Sequence, residues 1–284
     1  MNTHALTSPP TDELRAIFAD RFISDGAELD RVCRDESRYS PEGTALGAVF
    51  PETTEEVAAA LQWANHNNVT VSVRGTGTGL SGGALAYPDG LVISLERMNR
   101  INWIDPVNRL AEVQAGVINA HLNRAAAEHG MFFAPDPASA EISTIGGNIA
   151  TNAGGLRCVS HGVTRDSVAS LEVVLADGSI LHTGARTIKN VVGLDLTSLF
   201  VGSEGTLGVV TSATVRLKPI APGTPRVFRA SFDSIEDAGR AVTAIVNGAH
   251  TPEVLELLDA RSVQIIEEYK PSGLPAHGDA LLIG

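Results

Sequence analysis

Val73-Arg74-Gly75-Thr76-Gly77-Thr78-Gly79-Leu80-Ser81-Gly82-Gly83 places five glycines in nine residues, directly after the alternating Val69, Val71 and Val73. The alternation predicts a strand with one buried face. The glycines predict a loop whose successive N–H groups form a nest for an anion. Side chains there would block close approach of the backbone. Thr76, Thr78 and Ser81 add hydroxyl donors. A pyrophosphate is the natural guest, and the bland alternative is an empty surface loop.

Two better-known phosphate motifs fail here. Gly77-x-Gly79-x-x-Gly82 satisfies the dinucleotide fingerprint, but that motif needs a helix opening at the loop, its N-terminus on the phosphates. Gly83-Ala84-Leu85-Ala86-Tyr87 runs straight into Pro88-Asp89-Gly90, which leaves no room for one. A Walker loop is excluded because no Lys-Ser or Lys-Thr follows Gly82. The loop is therefore expected between two strands, without a helix dipole, and a nicotinamide enzyme is the weakest reading.

Working outward, Thr53 and Glu56 have capping-box spacing, and Val57, Ala60, Leu61 and Ala64 repeat at helical period up to Asn67 and Asn68. Before them, residues 12–21 form a helix candidate with Leu14, Ile17 and Phe18 on one face, inside a lead segment 1–45. After the loop, residues 91–95 and 109–115 predict strands, and residues 118–129 a helix closed by Gly130. Residues 171–176 and 179–183 flank Asp177-Gly178, a hairpin signal. Residues 207–217 predict a long strand. Pro219, Pro222 and Pro225 mark a boundary, so the first large domain spans 46–219. Beyond it, residues 230–232 predict a strand, 234–247 a helix and 252–269 another helix. The chain ends on Leu281-Leu282-Ile283-Gly284, which reads as the middle of a strand. So small a second domain, 220–284, buries little surface. The expectation is that the chain is a fragment, or that this domain is incomplete.

Residues 131–160 show almost no periodicity, and so long a structureless stretch is usually functional. Within it stands Thr144-Ile145-Gly146-Gly147-Asn148-Ile149-Ala150-Thr151-Asn152-Ala153-Gly154-Gly155. Two Gly-Gly pairs flanking small and amide side chains suit backbone threaded past a large flat ligand, whose polar atoms would partner buried Asn148 and Asn152. An omega-type loop bonded to itself is equally supported by this segment alone. Gly202-Ser203-Glu204-Gly205-Thr206-Leu207-Gly208 is a third glycine piece, leading into the long strand.

Composition narrows the classes. The chain has 284 residues, 43% hydrophobic and 19% charged, enough apolar material for a core. Its 33 acidic and 21 basic residues leave a net charge of −12, which repels a phosphate backbone, so no nucleic-acid partner is expected. No apolar run reaches the roughly 18 residues that a membrane span needs. The polar N-terminus lacks a secretory layout. Cys33 and Cys158 lie far apart and are expected as free thiols in a cytoplasmic protein, or one peripheral to a membrane.

Six stretches together carry a resemblance: PETTEEV at 51–57, SVRGTGTGLSGGA at 72–84, APDPAS at 134–139, STIGGNIATNAGG at 143–155, VVLADG at 173–178 and LFVGSEGTLGVVTSATVRL at 199–217. In this order they resemble the FAD-binding domain of the vanillyl-alcohol-oxidase and p-cresol-methylhydroxylase type. The chain is most similar to its FAD-linked 2-hydroxy-acid dehydrogenases, such as D-lactate dehydrogenase and the glycolate oxidase flavin subunit. The resemblance implies an α+β FAD domain of two subdomains and the start of an α+β cap. It implies that Arg74, Gly75, Thr76, Gly77, Thr78, Gly79, Leu80, Ser81 and Gly82 hold the FAD pyrophosphate. Pro135, Asp136, Ser139, Thr144, Gly146, Gly147, Asn148, Ala150 and Gly154 would line the ribityl and flavin. Glu204, Gly205 and Val210 would flank the isoalloxazine or the adenine side.

Relatives with covalent flavin carry a His in the first loop, where this chain has Thr76 and Thr78, so FAD is expected to be non-covalent. His161 and Leu194 stand where Tyr is common in the family, and a lone His is more often structural than catalytic. Oxidising a 2-hydroxy acid needs a hydride acceptor, a cation for the carboxylate and a base for the hydroxyl proton. By resemblance the base and a metal-binding His cluster lie in the C-terminal half of the cap, beyond Gly284. No catalytic residue and no metal is therefore assigned to this chain, and the electron acceptor is open. The alternatives are another reaction on the same domain, such as ether-lipid synthesis, and a non-catalytic FAD-binding module.

Overall fold

The computed structural model describes residues 10–40, 43–249, 251–274 and 278–284. The polar N-terminus read for a leader lies, at residues 1–9, outside them. The architecture is α+β, with four sheets among the described residues.

The first unit runs α1 (Asp12–Phe18), β1 (Phe22–Ile23), α2 (Gly26–Val32), β2 (Gly47–Val49), α3 (Thr54–His66), β3 (Val71–Arg74) and β4 (Leu91–Ser94). The Thr53 hydroxyl caps α3, accepting from Glu56 N at 3.3 Å. Glu56 does not return to Thr53; its carboxylate accepts from Glu52 N at 2.7 Å and pairs with Arg21 at 2.5 Å. The strands lie in the order β1-β2-β4-β3, with β2 and β3 both parallel to β4. Parallel neighbours usually need a helical crossover. β3 reaches β4 instead through residues 75–90, which contain no helix. Val57, Ala60, Leu61 and Ala64 of α3 pack with Leu14, Phe18, Leu91 and Ile93. The lead segment thus supplies an edge strand and core side chains to this sheet. Ile17 is 41% exposed and does not share the buried face of Leu14 and Phe18.

The second unit runs β5 (Ile101–Asp105), β6 (Leu110–Gln114), α4 (Asn119–Ala127), β7 (Met131–Phe132), α5 (Ile145–Thr151), α6 (Cys158–His161), α7 (Thr164–Ser167), β8 (Val168–Val174), β9 (Ile180–Gly184), α8 (Leu196–Phe200), β10 (Val209–Arg216) and β11 (Lys218–Pro219). Five strands form an antiparallel sheet, β5-β6-β10-β8-β9. β8 and β9 are joined at Asp177-Gly178, where Asp177 Oδ1 accepts from Ser179 N at 2.9 Å. Alternation along the strands puts Ala111, Val113, Leu171, Val173, Ala213 and Val215 into a core with Leu122, Ile145, Ile149 and Phe200. The intervening Glu112, Gln114, Ser170, Glu172, Ser212 and Thr214 line a groove across the other face.

The structureless expectation for residues 131–160 is corrected by α5, α6 and β7. Ile-Gly-Gly-Asn-Ile-Ala-Thr is a poor helix on propensity alone. Packing overrides it: a Cβ at Gly146 would lie 2.6 Å from the Ala115 Cβ, so glycine lets α5 press onto the end of β6. Thr144 caps it, accepting from Gly147 N at 3.1 Å.

The third unit is β12 (Arg229–Phe232), α9 (Ile235–Val246), β13 (Glu256–Asp259), α10 (Ala260–Tyr269) and β14 (Ala280–Ile283). The single helix that the sequence predicts over 252–269 is corrected: residues 256–259 form β13, and the helix starts at Ala260. Leu257 and Leu258 pair opposite Leu282 and Leu281 of the central β14, and Asp259 restarts the chain as a helix cap, accepting from Ser262 N at 2.7 Å. Leu281 and Leu282 are buried, which contributes about 1.5–3 kcal/mol each.

Candidate functional site

A cavity of about 340 Å³ lies where three glycine segments meet. The β3–β4 loop forms one wall, the start of α5 a second, and residues 203–210 entering β10 a third. Of the residues singled out in the sequence, Arg74, Gly75, Thr76, Gly77, Thr78, Gly79, Leu80 and Ser81 line it from the first loop. Ser139, Thr144, Gly146, Gly147, Asn148 and Ala150 line it from the second segment, and Glu204, Gly205 and Val210 from the third.

Gly82, Pro135, Asp136 and Gly154 lie outside the lining. Asp136 faces Arg157 instead, with Oδ1 accepting from Arg157 N at 3.1 Å and Oδ2 3.6 Å from its Nε. The Pro135 carbonyl accepts from Asn119 Nδ2 at 3.0 Å. Leu95, Ala115, Phe200 and Val209 line the cavity without having been singled out. Their apolar character marks them in a sequence only as core. Thr151, Ala153 and Ser203 also line it, and these, like Phe200 and Val209, stand inside the motifs already quoted.

Several polar groups in the cavity are already engaged. The Thr76 hydroxyl donates to Ile142 O at 2.7 Å, and the Thr151 hydroxyl to Gly147 O at 3.1 Å. Asn148 differs. It is 3% exposed and its Nδ2 has no hydrogen-bond partner among the described residues. A buried donor without an acceptor is costly and rare in native proteins, so it indicates a missing polar ligand atom. A ligand rich in acceptors, flanked by backbone without side chains, fits this lining.

His161 is not in the lining. It packs edge-on to Phe132 at 5.4 Å between ring centroids, and burial pushes its pKa down. Arg157 lies over the same Phe132 ring at 5.1 Å and reaches Glu253 of the third unit at 3.4 Å. Both cysteines are free. Among the described residues no group of three or more His, Cys, Asp or Glu could hold a metal ion, and no helix is long and apolar enough to cross a membrane.

A second groove, about 500 Å³, crosses the polar face of the five-stranded sheet. Glu172, Glu112 and Gln114 are bonded within the chain. Glu172 Oε1 accepts from the Thr54 hydroxyl at 2.5 Å and the Thr211 hydroxyl at 2.9 Å. Glu112 accepts from Asn102 at 3.0 Å and pairs with Arg186, which stacks 5.2 Å from the Trp103 centroid. Gln114 Oε1 accepts from Arg100 N at 3.0 Å.

Residues 45–184 match a family described as FAD binding domain, and residues 222–284 one described as FAD linked oxidases, C-terminal domain. The chain is similar to the glycolate oxidase subunit GlcD of Bacillus subtilis, 45% identical over 235 residues, covering 83% of this chain and 50% of that protein. It is 38% identical to GlcD of Escherichia coli K12 over 281 residues, covering 97% of this chain and 56% of that one. A D-lactate dehydrogenase of Archaeoglobus fulgidus is 46% identical over 220 residues, 78% of this chain and 49% of that protein. A solved structure of alkyldihydroxyacetonephosphate synthase matches at a TM-score of 0.81 over 98% of this chain and 56% of its own, at 23% identity, a likeness of fold. The chain spans about half the length of these relatives.

Proposed function

The chain belongs to the FAD-linked oxidases, and on that premise we propose that its protein oxidises a small 2-hydroxy acid of the D-lactate or glycolate kind, with FAD bound non-covalently in the glycine-lined cavity. The single observation that carries the cofactor assignment is Asn148, a buried amide donor left without an acceptor in that cavity. The substrate class is supported by the relatives, named for glycolate and D-lactate oxidation. The ether-lipid alternative is supported by fold alone, at 23% identity.

Residues 74–81 would hold the pyrophosphate. Ser139, Thr144, Gly146, Gly147, Asn148 and Ala150 would hold the ribityl and flavin, with Glu204, Gly205 and Val210 flanking the rings. Gly82, Pro135, Asp136 and Gly154 would act from behind these walls. Bound there, the flavin supplies the hydride acceptor. The protein's own residues supply the dry, shaped cavity: Leu95, Ala115, Phe200 and Val209 exclude water, and Asn148 orients by one donated hydrogen bond. Residues 46–219 form the FAD domain in this reading and 220–284 the start of a substrate-binding cap. Electrons pass to an acceptor outside the chain. The free thiols of Cys33 and Cys158 suit a reducing cytoplasm.

The test is anaerobic addition of D-lactate, glycolate and a non-hydroxylated acid to the FAD-loaded protein. Bleaching of the visible flavin band by the hydroxy acids, and not by the control, is expected. Bleaching by an alkyl-glycerone phosphate ester in their place would overturn the substrate class.

A further inference from the structure

Arg74 is the one Lys, Arg or His among the residues lining the cavity, in a chain of net charge −12. It is 4% exposed. Its Nη1 donates to Val32 O and Arg34 O, both at 2.6 Å, and its Nε to Gly75 O at 3.1 Å. These acceptors are neutral carbonyls, and no carboxylate pairs with the guanidinium among the described residues. Its Nη2 donates to no described group. Gly77, at φ +77°, passes directly over that nitrogen: a Cβ at position 77 would overlap Nη2. The glycine thus leaves an opening in the loop above a cation that touches no carboxylate, and the nearby Glu96 and Asp35 charges offset its burial only in part.

The same side chain ties the lead segment under the loop. Residues 32–36 are fastened by Arg74, by Glu36 N donating to Gly77 O at 3.2 Å, and by Ala84 N donating to Asp35 Oδ2 at 3.3 Å. Burying a cation without a counter-charge is expensive. An anion arriving at the loop reduces that cost, and in a chain of net charge −12 a local cation adds to what the backbone nest offers an anion.

We infer that Arg74 is a positioning residue with a second, electrostatic duty. Its Nε and Nη1 clamp the lead segment to the glycine loop, and its free Nη2 edge supplies the positive charge that selects a diphosphate ligand over an uncharged one. This rests on the FAD reading above, and it goes beyond it by assigning the charge to one side chain and the loop's shape to a segment outside the matched family region.

The experiment compares FAD with riboflavin, which lacks both phosphates, by flavin-fluorescence titration of the wild-type chain, Arg74→Gln and Arg74→Lys. Arg74→Gln is expected to weaken FAD about 10- to 100-fold, as loss of hydrogen bonds from a charged group does, and riboflavin by less than about threefold. Arg74→Lys keeps the charge and is expected to recover most of the preference for FAD, with amides of residues 33–36 exchanging faster because the clamp is lost. Equal losses for the two ligands would mean that the side chain only shapes the loop, and would overturn the electrostatic role. An unchanged FAD affinity would overturn the inference and leave the FAD reading standing. A wild-type chain that binds neither ligand would overturn both. Where Arg74→Gln does not fold, Arg74→Lys decides: a retained preference for FAD, weakened by salt, supports the inference, and a lost preference contradicts it.

Discussion

The groove on the polar face of the five-stranded sheet and the glycine-lined cavity differ in what their polar atoms still lack. The groove across the polar face, about 500 Å³, holds more charged groups than the glycine-lined cavity, about 340 Å³. Yet Glu172, Glu112 and Gln114 there are each hydrogen-bonded within the chain. The glycine-lined cavity has fewer polar side chains, but Asn148 Nδ2 has no acceptor and Arg74 Nη2 no partner among the described residues. Charge describes a surface; an unsatisfied buried donor lining a cavity, as at Asn148, describes a ligand. The groove is an antiparallel sheet face whose Glu112 and Glu172 are bonded by the cross-strand partners Asn102 and Thr211.

The contrast can be broken at four points. The largest effect is expected at Gly146→Val. Added carbons would meet the Ala115 backbone, driving α5 off β6, and overpacking of this kind costs about 1–3 kcal/mol. Loss of FAD binding, followed by flavin fluorescence, together with a lower melting temperature would be seen. Retained binding would show that α5 does not shape the cavity.

Asn148→Leu comes next. Removing an orphan donor should leave the chain without FAD as stable as before or more stable, because a buried unsatisfied amide costs about 1–3 kcal/mol. FAD affinity should fall about tenfold, the equivalent of one hydrogen bond. Glu172→Ala in the groove should behave in the opposite way: about 1–2 kcal/mol of stability lost, as the Thr54 and Thr211 hydroxyls lose their shared acceptor, with FAD affinity unchanged. If Glu172→Ala weakens FAD and Asn148→Leu does not, the two cavities have been assigned the wrong way round.

The smallest effect is a pH slope in the first unit, at a pair that lines neither cavity. The Arg21 guanidinium holds the Glu56 carboxyl below its ordinary 4.5. A depressed carboxylate stabilises the fold above its unfolded pKa, and that contribution is lost as pH falls from about 4.5 through the lower folded value. Acid unfolding of Glu56→Gln should therefore be shallower than wild type below pH about 4.5. Identical curves would show that the pair contributes nothing. Both side chains are partly exposed, which keeps the expected contribution small.

How far these features are legible in sequence depends on whether they are local. The helix from Thr53 and the Asp177-Gly178 turn are local: a cap or a turn residue acts within a few positions. So is the missing helix after Gly83, which Pro88 settles. α5 is not local. Gly146 and Gly147 argue against a helix, and only the approach of Ala115, about thirty residues earlier, explains it. β13 fails for the same reason, since its partner strand β14 arrives more than twenty residues later. At the site, small and polar residues carry a signal, so most of the cavity is visible in three glycine segments. Leu95 and Ala115, outside every motif, are invisible as ligand contacts because an apolar wall reads like any core, and Phe200 and Val209 are marked only by the motif around them. Asp136 is misleading in the other direction: a carboxylate in a motif suggests a ligand, and its partner is Arg157.

The central claim, FAD held without a covalent bond in the glycine-lined cavity, is tested most directly by an absorbance spectrum of the purified protein before and after acid precipitation. The account predicts flavin bands that move entirely to the supernatant. Yellow colour that stays with the pellet, or a colourless protein that cannot be loaded with FAD, would contradict it.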